Sequence, residues 1–461
     1  MSSSVCLPAS EFAKRRQRLL KKLGKGSIAI VPAATHQIRN RDAEYPFRQN
    51  SDFQYLTGFP EPDAVAVFIP NRADGEYVLF CLPKDPHAER WTGIRVGIDD
   101  AKTRYGADQA FLLDELDQRL PQLLRGCEQV YYDLGLNPTF DQRVIGYLNQ
   151  LRQQARAGVQ IPHTLTMLER IVHDMRLFKS PAELKLMRHA AQTSARAHTY
   201  AMQICEPGLY EYELDAVFAH EFRQDNMQAA YTTIVGGGKN ACILHYIENN
   251  ARLQDGDLVL IDAGAEYDCY ASDITRTFPV NGRFSPEQRA LYQIVLDAQQ
   301  AAIAAAQPGN TWDDPHQAAV KVLAQGLIDV GILQGSLEDA LKVPDRVAGE
   351  PPKEAPYRQF YMHRTGHWLG LDVHDVGDYK VNGQWRILQP GMVLTVEPGL
   401  YISPAENVDP KWWNIGIRIE DDVLITKTGN EILTKDVVKE IAEIEALIRL
   451  RVKPRPSGRK G

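Results

Sequence analysis

The chain has 461 residues, a formal net charge of −7 and 44% hydrophobic residues, proportions close to those of an average folded protein. They exclude a disordered chain, a collagen-like chain and a coiled coil, and the mild acidity favours neither a nucleic-acid nor a membrane partner. At about 150 residues per domain, the length predicts two or three domains.

The first residues contain no basic segment followed by an apolar core, so we expect no signal peptide. No apolar run approaches the roughly 20 residues that cross a bilayer. The six cysteines are scattered without a C-x-x-C pair, which is typical of reduced thiols in a cytosol. The sequence therefore predicts a cytoplasmic protein without a membrane span.

The first 175 residues alternate helical and strand-like segments. Two apolar runs, Ala64–Ile69 and Glu76–Leu82, predict a β-hairpin, and Gln129–Asp133 predicts another strand. The predicted helical stretches are 10–24, 113–125 and 140–155. Residues 1–175 are therefore predicted to form an α/β domain.

Two capping boxes, Ser180-Pro-Ala-Glu183 and Ser285-Pro-Glu-Gln288, predict the starts of long helices, since each has proline at the first helical position. The first helix should end near Ile204 and the second near Pro308. Just before the first capping box, the short alternating segments of the first 175 residues give way to a long predicted helix. We therefore place a domain boundary between residues 175 and 176.

The second domain, residues 176–445, combines these helices with strand-like runs and is predicted to be α+β. The runs are Ala230–Val235, Leu258–Ala263, Thr275–Val280, Val393–Val396 and Ile415–Ile425. The proline-rich segment Val343–Pro356 predicts an exposed loop. Residues 446–461 are predicted to be a basic, flexible tail.

Acidic residues interrupt these apolar strands. Asp262 ends one strand, and Asp273 follows eleven residues later. A tight turn at Tyr267-Asp268 would place the two aspartates directly opposite each other. Two ionised carboxylates in that position repel unless a cation or a shared proton lies between them.

Glu397 and Glu420 lie in similar apolar surroundings, and a strand period of two places Arg418 and Glu420 on one face. A single buried acid is more often a salt-bridged core residue. Four such acids in one domain are better explained by metal binding, since a cation offsets the cost of burying their charge.

Histidines point to the same kind of site. His245 stands in one short segment, and His363, His367 and His374 stand in another. His363 and His367 have the i,i+4 spacing of a helical zinc pair, but nearby glycines argue against a helix and there is no H-E-x-x-H motif. We therefore expect a looped segment that supplies one metal ligand and two groups that support the ligands or contact the substrate.

Four carboxylates with one histidine prefer a hard divalent ion such as Mn²⁺ over the metal of a thiolate-rich structural site. Two divalent cations would balance four negative charges, and paired metals suit hydrolysis. The residues alone therefore predict a two-metal hydrolase and do not identify the bond that it cleaves.

Several ordered motifs cover nearly the whole chain. They are Glu44–Phe59, Glu89–Trp91, Met175–Pro181, Ile261–Gly264, Ser272–Phe278, His367–His374, Thr395–Tyr401 and Ile417–Asp422. Together they resemble the bacterial Xaa-Pro aminopeptidases, or aminopeptidase P family, of the pita-bread superfamily that includes prolidase, methionine aminopeptidase and creatinase. The resemblance implies a creatinase-like α/β N-terminal domain, with a role in oligomerisation and substrate access, and an α+β pita-bread catalytic domain.

The resemblance implies five metal ligands, which are Asp262, Asp273, His367, Glu397 and Glu420. In the family the second aspartate and the last glutamate bridge two metals, usually Mn²⁺, with Zn²⁺ and Co²⁺ as alternatives.

It also implies roles in catalysis. His245 and His374 would steady the scissile carbonyl, and Glu397 would accept the proton of the attacking nucleophile. His363 matches a further substrate-contacting histidine, and the substrate's free amine would lie near Asp262.

Tyr401 and Arg418 would support the proline side of the site, and Asp42 and Trp91 would contact substrate from the N-terminal domain. Family members form dimers or tetramers in which a neighbour's N-terminal domain approaches the active site, so we expect a homo-oligomer. Trp91 is a candidate for that contact, with a buried structural aromatic as the alternative. Two departures from the family pattern are Arg364, where a glycine is common, and the longer 343–356 loop.

The implied activity is hydrolysis of the N-terminal Xaa-Pro bond of peptides. That bond has no N–H and a restricting ring, so the pocket must accept a tertiary amide. The alternatives are a prolidase, which shares the five ligands but cleaves only dipeptides, and a non-catalytic pita-bread module that binds protein or RNA. The five ligands disfavour that module and the metal-free creatinase.

Overall fold

The computed structural model describes residues 6–344 and 353–450, which form two compact units, 6–176 and 177–450. Residues 345–352 of the predicted proline-rich loop and residues 451–461 of the predicted tail lie outside the described residues. No helix among the described residues has both the length and the apolar character that a membrane crossing requires.

The N-terminal unit is built on a six-stranded mixed sheet in the order β6-β5-β4-β1-β7-β8. Its strands are β1 Ser27–Pro32, β4 Val65–Phe68, β5 Tyr77–Cys81, β6 Gln109–Leu112, β7 Gln129–Tyr131 and β8 Thr164–Thr166, beside a separate pair β2 Ile38–Asn40 and β3 Ala43–Glu44. The predicted hairpin is confirmed, because β4 and β5 pair antiparallel. β1 pairs antiparallel with β4 and parallel with β7, as expected of an α/β domain.

The helices of this unit are α1 Ala9–Leu23, α2 Ser51–Thr57, α3 Pro86–Thr92, α4 Gly97–Thr103, α5 Leu116–Leu124, α6 Pro138–Gln153 and α7 Glu169–Leu177. Sequence signals account for several ends: Gly24 directly follows the last residue of α1, and the side chains of Asn50 and Asn137 accept hydrogen bonds at the starts of α2 and α6. Apolar residues of α5 and α6 pack against β1, β4, β5 and β7 to form the core.

The second unit carries several small antiparallel sheets. Its strands are β9 Gln228–Ala229, β10 Ile234–Gly237, β11 Leu258–Asp262, β12 Ala265–Tyr267, β13 Tyr270–Ala271, β14 Thr275–Pro279, β15 Lys380–Val381, β16 Gln384–Trp385, β17 Val393–Val396, β18 Gly399–Ile402, β19 Ile415–Arg418, β20 Asp421–Ile425 and β21 Asn430–Ile432. The sheets that position the site are β10-β11-β14, β17-β20-β21 and β18-β19.

The helices of this unit are α8 Pro181–Ile204, α9 Glu211–Gln224, α10 Pro286–Ala305, α11 Asp314–Asp329, α12 Leu337–Leu341 and α13 Ile441–Arg449. The two predicted capping boxes are confirmed, and they open α8 and α10. The boundary that we placed at residue 445 falls inside α13, because Ile444 and Ile448 are buried in the core of this unit.

The hairpin that contains the two aspartates has a different register from the predicted one. Asp262 pairs with Thr275, two residues beyond Asp273. The turn is formed by Asp268 and Cys269, both with positive φ, one residue later than we expected. A turn displaced by one residue moves every pairing by two, so the prediction that the aspartates lie directly opposite is wrong.

Two predicted strands also differ in extent. The run predicted as Ala230–Val235 forms a strand only from Ile234, with residues 230–233 irregular. The run Ile415–Ile425 divides into β19 and β20, which pair with different partners, β18 and β17. At the break the backbone N–H of Glu420 donates to the carbonyl of Thr275 at 3.0 Å, which turns the glutamate towards β14.

Candidate active site

A cavity of about 410 Å³ lies in the second unit, and its walls come from strand ends and the 363–375 segment. It brings together nine of the residues singled out from the sequence, which are His245, Asp262, Asp273, His363, His367, His374, Glu397, Arg418 and Glu420. The cavity is therefore the candidate active site.

Asp262 and Asp273 meet at this cavity through a third residue, Tyr231. The Tyr231 hydroxyl lies 2.6 Å from Oδ1 of Asp262 and also within hydrogen-bonding distance of Oδ1 of Asp273. Burial, and then the charges of the two aspartates, raise the pKa of Tyr231. The phenol therefore keeps its proton and acts as a hydrogen-bond donor to the two carboxylates.

Among the residues that the structure describes, Asp273, His367 and Glu420 are placed to hold one metal ion, with one ligand atom of each lying within 4.8 Å of the others. Nδ1 of His367 donates to the carbonyl of Trp368 at 2.9 Å, which leaves Nε2 facing Asp273 at 3.4 Å and Glu397 at 3.8 Å. A carbonyl partner on Nδ1 is how proteins orient an imidazole for coordination through Nε2.

Crowding of acids changes their protonation. Burial, together with the neighbouring carboxylates, raises the pKa of Asp273 and of Glu420. Burial also raises the pKa of Glu397 to about 7, although His367 and Arg418 oppose the shift. Burial lowers the pKa of His367, but its hydrogen bond to Asp273 and the nearby acids outweigh that effect and raise it to about 9.

Arg418 connects the acids to a second polar group. Its Nη2 donates to Asp262 at 2.6 Å, its Nη1 to the Tyr401 hydroxyl at 3.1 Å and its Nε to the Thr275 hydroxyl at 3.1 Å. The Tyr401 hydroxyl in turn donates to Nε2 of His363 at 2.9 Å. Burial, and then the charge of Arg418, lower the pKa of His363 to about 3, so this imidazole stays neutral.

Glu397 directly follows β17, and its backbone N–H donates to the carbonyl of Thr365 at 2.8 Å. Neighbouring hydrogen bonds join Thr395 to His367, so strand β17 fixes the glutamate and the histidine relative to each other. The 363–375 segment has no regular helix, as predicted. The rings of His367 and His374 lie 4.3 Å apart between centroids.

The two remaining candidates, Asp42 and Trp91, belong to the N-terminal unit. Asp42 is exposed in the turn between β2 and β3. Trp91 is on α3 with 82% of its surface exposed, so the alternative of a buried structural aromatic is wrong. Arg364 lines the cavity, pairs with Asp313 and lies over the ring of Trp385 at 4.9 Å.

Tyr231 and Thr275 are the site residues that sequence reasoning missed. Tyr231 stands in an ordinary apolar run, and nothing in its spacing separates it from a core tyrosine. Thr275 donates to Glu420 at 2.7 Å, and only the correct hairpin register would have located it opposite Asp262.

These residues fit a divalent cation. Four carboxylates and one imidazole converge on the cavity, so most of the potential ligand atoms are oxygens. Three of the acids, Asp273, Glu397 and Glu420, have a raised pKa because they are buried among like charges. A hard cation among these oxygens would remove that repulsion. The residues that would hold it are Asp262, Asp273, His367, Glu397 and Glu420.

The α+β fold and a cavity lined by carboxylates and histidines are those expected of a metal-dependent hydrolase. The sequence model of metallopeptidase family M24 matches residues 185–427, more than half of the chain. The chain therefore belongs to metallopeptidase family M24. A second model, the N-terminal domain of aminopeptidase P, matches residues 12–131.

Individual relatives agree with both matches. The Xaa-Pro aminopeptidase of Escherichia coli is 46% identical over 95% of this chain and 97% of its own length. The structure of Pseudomonas aeruginosa aminopeptidase PepP covers 97% of this chain and 99% of its own, with 53% identity and a TM-score of 0.92. Zinc-substituted E. coli aminopeptidase P in complex with product aligns with a TM-score of 0.92 at 46% identity, over 97% of this chain and 100% of its own.

The predicted family resemblance and fold class are confirmed by these comparisons: an aminopeptidase P N-terminal domain precedes an M24 catalytic domain with the pita-bread fold. The chain is thus a metalloexopeptidase that uses a divalent metal.

Proposed function

We propose that this chain hydrolyses the N-terminal Xaa-Pro bond of peptides and releases the N-terminal amino acid. The E. coli relative is named an Xaa-Pro aminopeptidase, and the match covers 95% of this chain and 97% of that relative. The observation that carries the proposal is the convergence of the five predicted ligands with His363 and Arg418 around one cavity, where the Tyr401 hydroxyl bonds to both of the latter side chains.

We propose that the cavity holds two divalent ions, with Mn²⁺ as the first choice and Zn²⁺ and Co²⁺ as alternatives. Four carboxylate charges near the cavity support a pair of divalent cations over a single one. When bound, such ions supply Lewis-acid polarisation of the substrate carbonyl and favour deprotonation of the attacking water.

Glu397 is the proposed proton acceptor. Its carboxylate lies in the cavity beside the other proposed ligands, 3.8 Å from Nε2 of His367, where it can reach a water bound between them. Its carboxylate would take the proton from the attacking water and pass it to the proline nitrogen as the bond breaks. The proline nitrogen must be protonated before it leaves, because an amide anion is a very poor leaving group.

His245 and His374 are the proposed donors to the scissile carbonyl. Burial lowers the pKa of His374, so its imidazole is neutral and can donate one N–H to the oxygen on which charge develops. His363, Tyr401 and Arg418 form a linked polar wall that would support the proline side. Asp262 would bind the free amine of the substrate.

The N-terminal unit is proposed to act in oligomerisation and substrate access, with Asp42 and Trp91 contacting peptide. The exposure of Trp91 supports a homo-oligomer, dimer or tetramer, because a large exposed aromatic is typical of a contact surface. Light scattering of the wild type and Trp91→Ala tests this: a smaller assembly or an altered KM in the variant supports it, and an unchanged mass and KM contradict it. Residence in the cytoplasm stays a prediction from the sequence.

Purified protein should be assayed on matched Xaa-Pro dipeptides, Xaa-Pro-Yaa tripeptides and Xaa-Ala-Yaa tripeptides with Mn²⁺, Zn²⁺ or Co²⁺. Cleavage of the Xaa-Pro tripeptides with release of the first amino acid supports the proposal. Hydrolysis confined to dipeptides would identify a prolidase, and no hydrolysis with any metal would favour a binding module.

Metal analysis of the same preparations tests the ligand set. Asp262→Ala should lower both the metal content and the activity, whereas Asp141→Asn, a buried aspartate of the N-terminal unit, should lower neither. Full metal content and full activity in Asp262→Ala would contradict the proposed ligand set.

A further inference from the structure

Glu211, the first residue of α9, is fully buried and lies outside the cavity lining. Its Oε1 accepts hydrogen bonds from the backbone N–H of Gly237 at 2.8 Å and from the side-chain amide of Asn240 at 3.0 Å. Its Oε2 accepts from the Tyr246 hydroxyl at 2.9 Å and from the backbone N–H of Ala251 at 2.8 Å. These four donors offset the cost of burying the carboxylate.

All four donors belong to one segment, residues 237–251, and that segment carries His245. The backbone N–H of Glu211 also donates to the carbonyl of Ala251 at 3.0 Å, which fixes the end of the segment a second time. Tyr246, whose hydroxyl contacts Glu211, directly follows His245. Glu211 therefore holds the chain on both sides of His245.

His245 depends on such backbone anchors. It lines the cavity, but its imidazole makes no hydrogen bond with any residue in the ranges 6–344 and 353–450. One other anchor is Asn249, which accepts from the Val235 N–H at 2.9 Å and donates to the Thr233 carbonyl at 2.9 Å. Since the ring has no partner of its own, the backbone determines where it points.

We propose that Glu211 is a positioning residue of the peptidase reaction, which acts by holding segment 237–251 so that His245 faces the scissile carbonyl. The inference rests on the proposed function, in which His245 donates to that carbonyl. A group that acts in this way affects the transition state more than substrate binding, because the carbonyl oxygen gains its charge only as the bond is attacked.

The direct test is Glu211→Gln in the metal-loaded enzyme. Each carboxylate oxygen accepts from two donors, so the amide nitrogen of glutamine must face two donors that it cannot accept from. We expect kcat on an Xaa-Pro-Yaa tripeptide to fall by about 10- to 100-fold, as is common when a residue that orients a catalytic group is changed. KM and metal content should change much less.

A double-mutant cycle separates positioning from a general loss of structure. In a His245→Ala background, Glu211→Gln should have almost no further effect on kcat, since its route to the substrate is already removed. An equal loss of kcat in both backgrounds would overturn the proposal, and so would wild-type kcat in the single Glu211→Gln variant.

NMR of ¹³C-labelled histidines in the Zn²⁺-loaded protein gives a readout independent of turnover. The His245 Cε1–H resonance should shift in Glu211→Gln, while Asp141→Asn, which also removes a buried carboxylate that accepts from a tyrosine and a backbone N–H, should leave it in place. An unmoved His245 resonance refutes positioning even if the wild type fails to cleave Xaa-Pro bonds. If Glu211→Gln does not fold, Tyr246→Phe is the substitute, because it removes one of the four donors to Glu211. It should lower kcat less and should move the His245 resonance less, in the same direction.

Discussion

Arg418 and Asp262 form a buried ion pair, with Nη2 of the arginine 2.6 Å from Oδ2 of the aspartate. The arginine side chain is 4% exposed and the aspartate side chain 14%. Burial lowers the pKa of Arg418, but the surrounding acids outweigh that effect and raise it, so the guanidinium stays charged. A proposed metal ligand is thus held by a protein cation as well.

Arg418→Met should therefore lower kcat/KM strongly. Removing one partner of a buried ion pair costs about 3–5 kcal/mol, which corresponds to roughly 100-fold or more if it is expressed in the transition state. Arg364→Met is the matched control, since Arg364 also lines the cavity but its side chain is 43% exposed and pairs with Asp313. Steady-state kinetics check the pair, and equal effects of the two changes would contradict this account.

A pH effect on stability is expected from the N-terminal unit. Asp52 lies 3.3 Å from Nε2 of His173 and 2.7 Å from Nη1 of Arg176. Burial lowers the pKa of His173, but its hydrogen bond to Asp52 and the aspartate charge raise it above the ordinary value. A raised pKa means that the contribution to stability is complete below the unfolded value and is lost as pH rises through the folded value.

Thermal unfolding of wild type and His173→Gln should therefore differ more at about pH 5.5 than at about pH 9. In an Asp52→Asn background the same histidine change should show no such pH dependence, because the charge that raises the pKa of His173 is gone. A difference in Tm that grows with pH would show that the assigned sign is wrong.

The sequence was informative where a local signal determines the structure. The capping boxes at Ser180 and Ser285 predicted α8 and α10, because those hydrogen bonds involve residues only three apart. The acids and histidines that line the cavity were also identifiable, since a carboxylate inside an apolar strand has few explanations other than a partner cation.

The sequence was misleading where the structure depends on backbone geometry. Cys269 adopts a positive φ that the sequence did not suggest, and this moved the turn and with it the pairing of Asp262. Tyr231 and Glu211 were missed because their partners lie far along the chain. A tyrosine in an apolar run and a glutamate at a helix start are ordinary until the fold brings those partners to them.

Gly366 allows the close approach that places His367 beside β17. A Cβ on Gly366 would lie 2.0 Å from the carbonyl oxygen of Thr395, which is backbone and cannot rotate away. Gly366→Ala should lower the free energy of unfolding by about 1–3 kcal/mol and reduce metal content, because the strand must move away from His367. Denaturant unfolding and metal analysis measure both.

Gly146, inside α6, is the matched control because a Cβ there meets no atom within 4 Å. Gly146→Ala should stabilise the protein by about 0.5–1 kcal/mol, since alanine loses less conformational freedom in a helix. If both alanine variants changed stability in the same direction, close packing at Gly366 would not be the cause.

A buried ion pair anchors the 363–375 segment at its other end. Nζ of Lys179 lies 2.9 Å from Oδ2 of Asp375, and each side chain is 1% exposed. The backbone N–H of Asp375 donates to the carbonyl of Trp368 at 2.8 Å, next to His367. The pair therefore ties the residue before the α8 cap to the loop that carries His367 and His374.

Lys179→Met should lower the free energy of unfolding by about 3–5 kcal/mol, because it removes the cation that lies 2.9 Å from the buried Asp375 carboxylate. The double change Lys179→Met with Asp375→Leu should recover most of that loss, since two apolar side chains carry no charge that must be desolvated. Arg188→Met is the control: its pair with Glu431 is more than one-third exposed and should be worth only about 0–1 kcal/mol. Chemical denaturation of the metal-free protein compares the three. The account fails if Lys179→Met lowers the free energy of unfolding no more than Arg188→Met does. It also fails if the double variant is less stable than Lys179→Met alone.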